Sequence, residues 1–148
     1  MPSKLLNQQV AGQVKDVFKQ LQQPVEVLFF NGRDDCEYCE DTRQLLREVV
    51  ELSDRLSVKE YDLQNDASIA EQYRVDKAPG FVVVGRDGDQ ILDYGVRFSG
   101  IPSGHEFSSL IHTLILVSNR DSGLSQKTRD ALKEVKKPVH LQVFVTPT

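Results

Sequence analysis

The stretch VEVLFFNGRDDCEYCEDTRQLL, residues 25 to 46, decides the fold. Its opening VEVLFF is a short, nearly continuous apolar run, which predicts a strand buried on both faces. After a polar turn, Leu45, Leu46, Val49 and Val50 recur at helical spacing. Between strand and helix lie both cysteines of the chain, Cys36 and Cys39, two residues apart. Cys36 is expected in the turn, at or near the helix N-terminus, with Cys39 one turn further on the same face. Free N–H groups and the helix dipole favour a thiolate at such a place. The spacing suits thiol–disulfide exchange in which Cys36 attacks an external disulfide and Cys39 resolves the mixed disulfide. Two other readings stand beside it. The pair could be small buried hydrophobes, or half of a metal site shared by two chains. A closed zinc site takes four ligands, and His105, His112 and His140 have no ligand spacing to the cysteines. No metal or cofactor is therefore expected.

Working outward, LLNQQVAGQVKDVFKQL (5–21) predicts an amphipathic helix through Leu6, Val10, Val14, Val17, Phe18 and Leu21, stopped by Pro24. The second helix is expected to bury Leu52 and Leu56 as well. SVKEYDL (57–63) alternates as a strand, and Asp66 is placed to cap a short helix, ASIAEQY, through its side chain. FVVVG and QILDYGV flank RDGD, where Asp87-Gly88 signals a hairpin. SGHEFSSLIHTLILVS predicts a helix opened by a capping box of Ser103 and Glu106. A parallel βαβ half followed by an antiparallel ββα half gives an α/β fold, a four-stranded mixed sheet flanked by helices.

The composition fits one domain with its own core. The chain has 148 residues, 39% hydrophobic and 27% charged, and a formal net charge of −4. No basic stripe points to nucleic acid, and the apolar runs fall short of the ~20 residues of a membrane span. MPSKLLNQQV lacks the apolar core of a secretory signal, so a cytoplasmic location is expected. In that compartment a close cysteine pair reads as catalytic or metal-binding.

YDLQND after the second strand and YRVDKAPGFVVV resemble thioredoxin segments, over residues ~20–118. CEYC, RVDKAP, YGVRFSGIPSGHEF and VFVTPT together resemble the glutaredoxin-like protein disulfide oxidoreductases, which fuse two thioredoxin-fold units, each with a CxxC. The resemblance implies a thioredoxin-like fold, disulfide reduction, formation or shuffling, and electrons from a thioredoxin reductase. It implies that the Ala78–Pro79 bond is cis and opposite the thiols, with the Ala78 backbone pairing to an extended substrate. Tyr38, inside CEYC, is a candidate substrate contact beside that groove. The leading expectation is a dithiol–disulfide oxidoreductase acting on protein disulfides. The alternative is a redox-inactive docking or assembly module.

Asp34, Asp35, Glu37, Glu40 and Asp41 surround the pair, with Arg33 and Arg43 nearby. Negative charge opposes a thiolate, which points to a reductase or isomerase and disfavours anionic glutathione. The competing reading is that these side chains point into water and are screened within about 8 Å.

VKDVFKQLQQPVEVLFF (from Val14) aligns without a gap with TRDALKEVKKPVHLQVF (from Thr128). The expected organisation is a redox unit over 1–118, a linker over 119–124, and over 125–148 the opening helix and strand of a truncated second unit. That exposed C-terminal strand would be a route to a dimer.

Overall fold

Val25 through Phe30 are all buried, and the reason is their place in the sheet. The computed structural model describes residues 3–32 and 35–146. In it β1 (Val25–Asn31) lies between β2 (Leu56–Asp62), to which it is parallel, and β3 (Gly80–Asp87), to which it is antiparallel. β4 (Gln90–Ser99) pairs antiparallel to β3, giving the order β2-β1-β3-β4. The mixed four-stranded sheet flanked by helices is the arrangement expected from the element order.

Alternate side chains of β1 feed two cores. Val25, Val27 and Phe29, with Phe81 and Val83 of β3, meet α1 (Gln8–Val17), α2 (Cys39–Val50) and α4 (His105–Asn119). Leu28 and Phe30, with Val82 and Val84, meet Ala70 and Tyr73 of the α3 region (Ala67–Gln72). Each fully buried apolar side chain of this kind contributes roughly 1.5–3 kcal/mol.

Local chemistry moves several boundaries. The first helix starts only at Gln8, because Asn7 caps it by accepting the Val10 N–H at 2.8 Å. The Leu5 and Leu6 N–H groups turn aside to the Glu48 carboxylate at 3.0 and 2.8 Å. A 3-10 turn, Phe18–Gln20, ends the segment. The Ser118 hydroxyl of α4 then accepts the N–H groups of Gln22 and Gln23 and donates to the Gln23 carbonyl, fixing the break before Pro24. α2 ends at Val50, so Leu52 lies beyond it and Leu56 opens β2.

Two expected caps do not form. Asp66 stands at the N-cap of α3, but its carboxylate reaches back to the Asp62 N–H at 2.8 Å. Gly104 (φ 59°) takes the N-cap of α4, so Glu106 sits one position too early for the capping box, and only the Ser103 carbonyl meets its N–H. The hairpin does form. Its central pair is Gly88-Asp89, with Gly88 at φ 59°, the first-position glycine that a II′ turn requires.

The C-terminal segment divides. α5 (Gln126–Lys133) forms, capped by Ser125, and buries none of its residues. The strand expected in VHLQVFV joins no sheet among the described residues, and Leu141, Val143 and Phe144 are exposed. A strand needs a partner ladder to satisfy its backbone, and β1 already has both of its neighbours.

Candidate functional site

β1 delivers the chain to the carboxyl ends of the parallel strands, where open α/β sheets place their sites. From there the backbone passes Gly32 and reaches Cys36, which is half-buried in the turn. Cys39 is the first residue of α2 and only 4% exposed. The two are joined as a disulfide with Cα atoms 5.4 Å apart. The sequence placed the pair at this junction, but the helix starts at the second cysteine rather than the first. Tyr38 occupies the N-cap without a side-chain capping bond. Its carbonyl accepts both the N–H and the hydroxyl of Thr42, at 3.0 and 2.6 Å.

The helix is fastened on both sides. Cys39, Thr42, Leu45, Leu46 and Val49 form its buried stripe. On its outer side Arg43 pairs with Glu40, and Arg47 pairs with Glu60 of β2 at 2.6 Å. Asp35, Glu37, Glu40 and Asp41 are all exposed, so water screens their charge. Arg33 and Asp34 of the same acidic stretch lie outside the described residues.

The Ala78–Pro79 bond is cis. Pro79 is buried and Ala78 is half-buried, and Ala78 flanks Gly32 on the side opposite Cys36. A methyl group built on Gly32 would lie 2.9 Å from the Ala78 Cβ and 3.2 Å from the Cys36 Cβ. The Pro79 carbonyl accepts the Gly100 N–H at 2.8 Å, which ties this loop to the end of β4. Upstream, Arg97 of β4 donates to the Tyr73 carbonyl at 2.6 Å and forks onto Asp93 at 2.8–2.9 Å. The Arg97 hydrogen bond holds the Asp93 carboxyl below its ordinary range, against the opposing effect of burial. Tyr38, 48% exposed, stands at the rim of the site.

Sequence reasoning missed Gly32, Glu60 and Arg97. The Asn31-Gly32 pair carried a turn signal. The two charged residues had none, because their partners are brought together only by the sheet. His105, His112 and His140 are exposed, and among the described residues no three His, Cys, Asp or Glu side chains gather to hold a metal. Among those residues no helix is long and apolar enough to cross a membrane.

No family model matches the chain. It is 30% identical over 144 residues to AhpF, the F component of alkyl hydroperoxide reductase, from Staphylococcus aureus strain NCTC 8325 / PS 47, covering 97% of this chain and 25% of that protein. AhpF of Staphylococcus epidermidis is 28% identical over 144 residues, with the same two coverages. The chain thus spans about a quarter of the length of the curated relatives it matches. Among solved structures, a protein disulfide oxidoreductase from Aeropyrum pernix k1 superposes with a TM-score of 0.75 at 27% identity, covering 88% of this chain and 55% of that one. AhpF of Enterococcus faecalis superposes with a TM-score of 0.77 at 23% identity, covering 89% and 62%, which bears on the fold. The chain is homologous to the N-terminal thioredoxin-like part of AhpF and to protein disulfide oxidoreductases. It is a thioredoxin-fold unit whose CxxC motif holds a Cys36–Cys39 disulfide.

Proposed function

We propose that this unit is a dithiol–disulfide oxidoreductase acting on disulfides of other proteins, with Cys36 attacking and Cys39 resolving. The observation that carries the assignment is the asymmetry of the pair. Cys36 is half-buried in a turn, where an external sulfur can approach in line, whereas Cys39 is shielded at the start of α2. The Cys36 thiolate attacks a substrate sulfur and expels the other as thiolate. Cys39 then attacks the Cys36 sulfur, releases the second substrate thiolate and leaves the intramolecular disulfide. Ala78 offers its backbone to the extended substrate, Pro79 shapes the groove floor, and Tyr38 covers its rim.

Screened though they are, the four exposed carboxylates leave a residual negative potential against a Cys36 thiolate, which favours a reductase or isomerase over a strong oxidant. Its relatives are named as an alkyl hydroperoxide reductase component and a protein disulfide oxidoreductase, which supports an electron-relay role. The proposed setting is the cytoplasm, with a thioredoxin reductase or another partner redox domain as electron donor. In this reading residues 119–124 serve as linker, and 125–148 are the opening helix and strand segment of a truncated second unit. A docking role is a second reading, and one observation favours it. Leu132, Val135, Val139, Leu141 and Phe144 are each exposed, apolar side chains that another domain or a second copy of the chain would cover.

Equilibration against defined thiol buffers tests the redox assignment. A reductant is expected near roughly −270 mV, far from the roughly −120 mV of a strong oxidant. The wild-type chain should also reduce a small protein disulfide, and Cys36→Ser should abolish that activity. Undiminished activity in Cys36→Ser would overturn the assignment.

A further inference from the structure

We propose that Gly32 is a positioning residue for the resolving thiol. Its backbone N–H holds the Cys39 sulfur, and its lack of a side chain is what lets the backbone come close enough to do so. The inference rests on the reading of Cys36 and Cys39 as an exchanging pair.

The Gly32 N–H points at the Cys39 Sγ, with a nitrogen–sulfur distance of 3.2 Å. The same residue is wedged between the two walls of the site. A Cβ there would stand 2.9 Å from the Ala78 Cβ, 3.2 Å from the Cys36 Cβ and 3.5 Å from the Cys36 Sγ. The first distance is shorter than side-chain carbons tolerate. Gly32 is absent from the glycines at positive φ, so backbone conformation does not demand glycine here. Space does. The strand end must pass between Cys36 and Ala78 to bring its amide to Cys39.

The chemistry gives that amide its use. A disulfide sulfur is a weak acceptor, so the bond contributes little in the oxidised state. When an external thiolate attacks the Cys36 sulfur, a new S–S bond forms there. The Cys36–Cys39 bond breaks, and its electron pair goes to Cys39. Charge therefore develops on the sulfur that Gly32 faces, and a hydrogen bond to a charged acceptor is roughly twice as strong as one to a neutral group. The return step, in which the Cys39 thiolate attacks the mixed disulfide, passes through the same transition state. The Gly32 amide favours the thiolate before that attack and stabilises it as leaving group in the other direction. This is the logic of a preorganised donor aimed at developing charge.

Gly32→Ala keeps the N–H but forces the strand end away from Ala78 and Cys36. In a Cys36→Ser background, thiolate absorbance should show the Cys39 titration midpoint raised by roughly one pH unit. With both cysteines present, Gly32→Ala should slow resolution of a preformed mixed disulfide about threefold at neutral pH, the thiolate deficit being partly offset by greater nucleophilicity. A second measurement needs no substitution at Gly32. In the reduced Cys36→Ser chain, the Gly32 amide proton should shift downfield with the same midpoint as Cys39. An amide resonance that ignores the Cys39 titration, or an unmoved midpoint in a folded Gly32→Ala chain, would overturn the inference. Failure of the wild-type chain to reduce a protein disulfide would instead count against the function on which it rests.

Discussion

Residues 14–30 and 128–144 are written in the same grammar and end in opposite environments. Asp16 aligns with Asp130, Lys19 with Lys133, Pro24 with Pro138 and Phe30 with Phe144. Both copies form a helix with a side-chain N-cap, Asn7 in one and Ser125 in the other. Both even make the matching ion pair, Asp16 to Lys19 at 2.7 Å and Asp130 to Lys133 at 3.1 Å. The strands diverge. Phe30 is fully buried, and Phe144 is 89% exposed. A helix satisfies its hydrogen bonds within its own segment, so capping and pairs three residues apart suffice to mark it. A strand depends on neighbours that the local sequence does not contain.

The sharpest contrast is between the aligned phenylalanines. Phe30→Ala should cost about 3–5 kcal/mol of stability by emptying a site between Tyr61 and the α3 core. Chemical denaturation measures it, and a loss below about 1 kcal/mol would mean the first copy is no better packed than the second. Next in size is the junction before the strand. Ser118→Ala strips the hydroxyl that serves Gln22 and Gln23 and should cost about 1–3 kcal/mol.

Acid sharpens the comparison further. Asp93 in the sheet and Asp121 at the exit to the second copy are each held below the ordinary carboxylate range by an arginine, Arg97 and Arg129. A depressed folded-state value gives stability that is present above the unfolded value, about 3.9, and is lost as pH falls through the folded one. Urea midpoints followed from pH 6 downward should therefore flatten in Asp93→Asn. In Asp121→Asn they should keep the wild-type acid limb, because that pair is exposed and ties residue 121 only to α5, which buries none of its residues. Equal effects would show that the second copy is part of the folding unit. The smallest change expected is in Phe144→Ala, within about 0.5 kcal/mol of wild type.

The same contrast explains what the sequence made legible. VEVLFF announced a doubly buried strand because five of its six residues are apolar and interrupted only by Glu26, and the cysteines after it marked the candidate site. The hairpin was readable from Gly88, although the turn closes one residue later than Asp87-Gly88 suggests. Helix starts were read less well. Asp66 and Ser103 are good capping residues, but each backbone found another partner or another register. The β4 bulge was not foreseen. It lies where pairing jumps from Val83–Val96 to Val84–Asp93, with Gly95 at φ 81°. Arg97, Glu60 and Gly32 were not legible in the sequence. Their roles depend on partners supplied by distant strands.

Trapping tests the central claim, that the first copy carries a working redox couple with divided roles. Incubated with a disulfide-bonded protein substrate under mild reduction, Cys39→Ser should accumulate a covalent complex. Mass spectrometry should place its bond on Cys36, and added thiol should release it. Cys36→Ser should give no such complex, since Cys39 is shielded at the start of α2. Equal trapping by both variants, or a complex bonded through Cys39, would contradict the account.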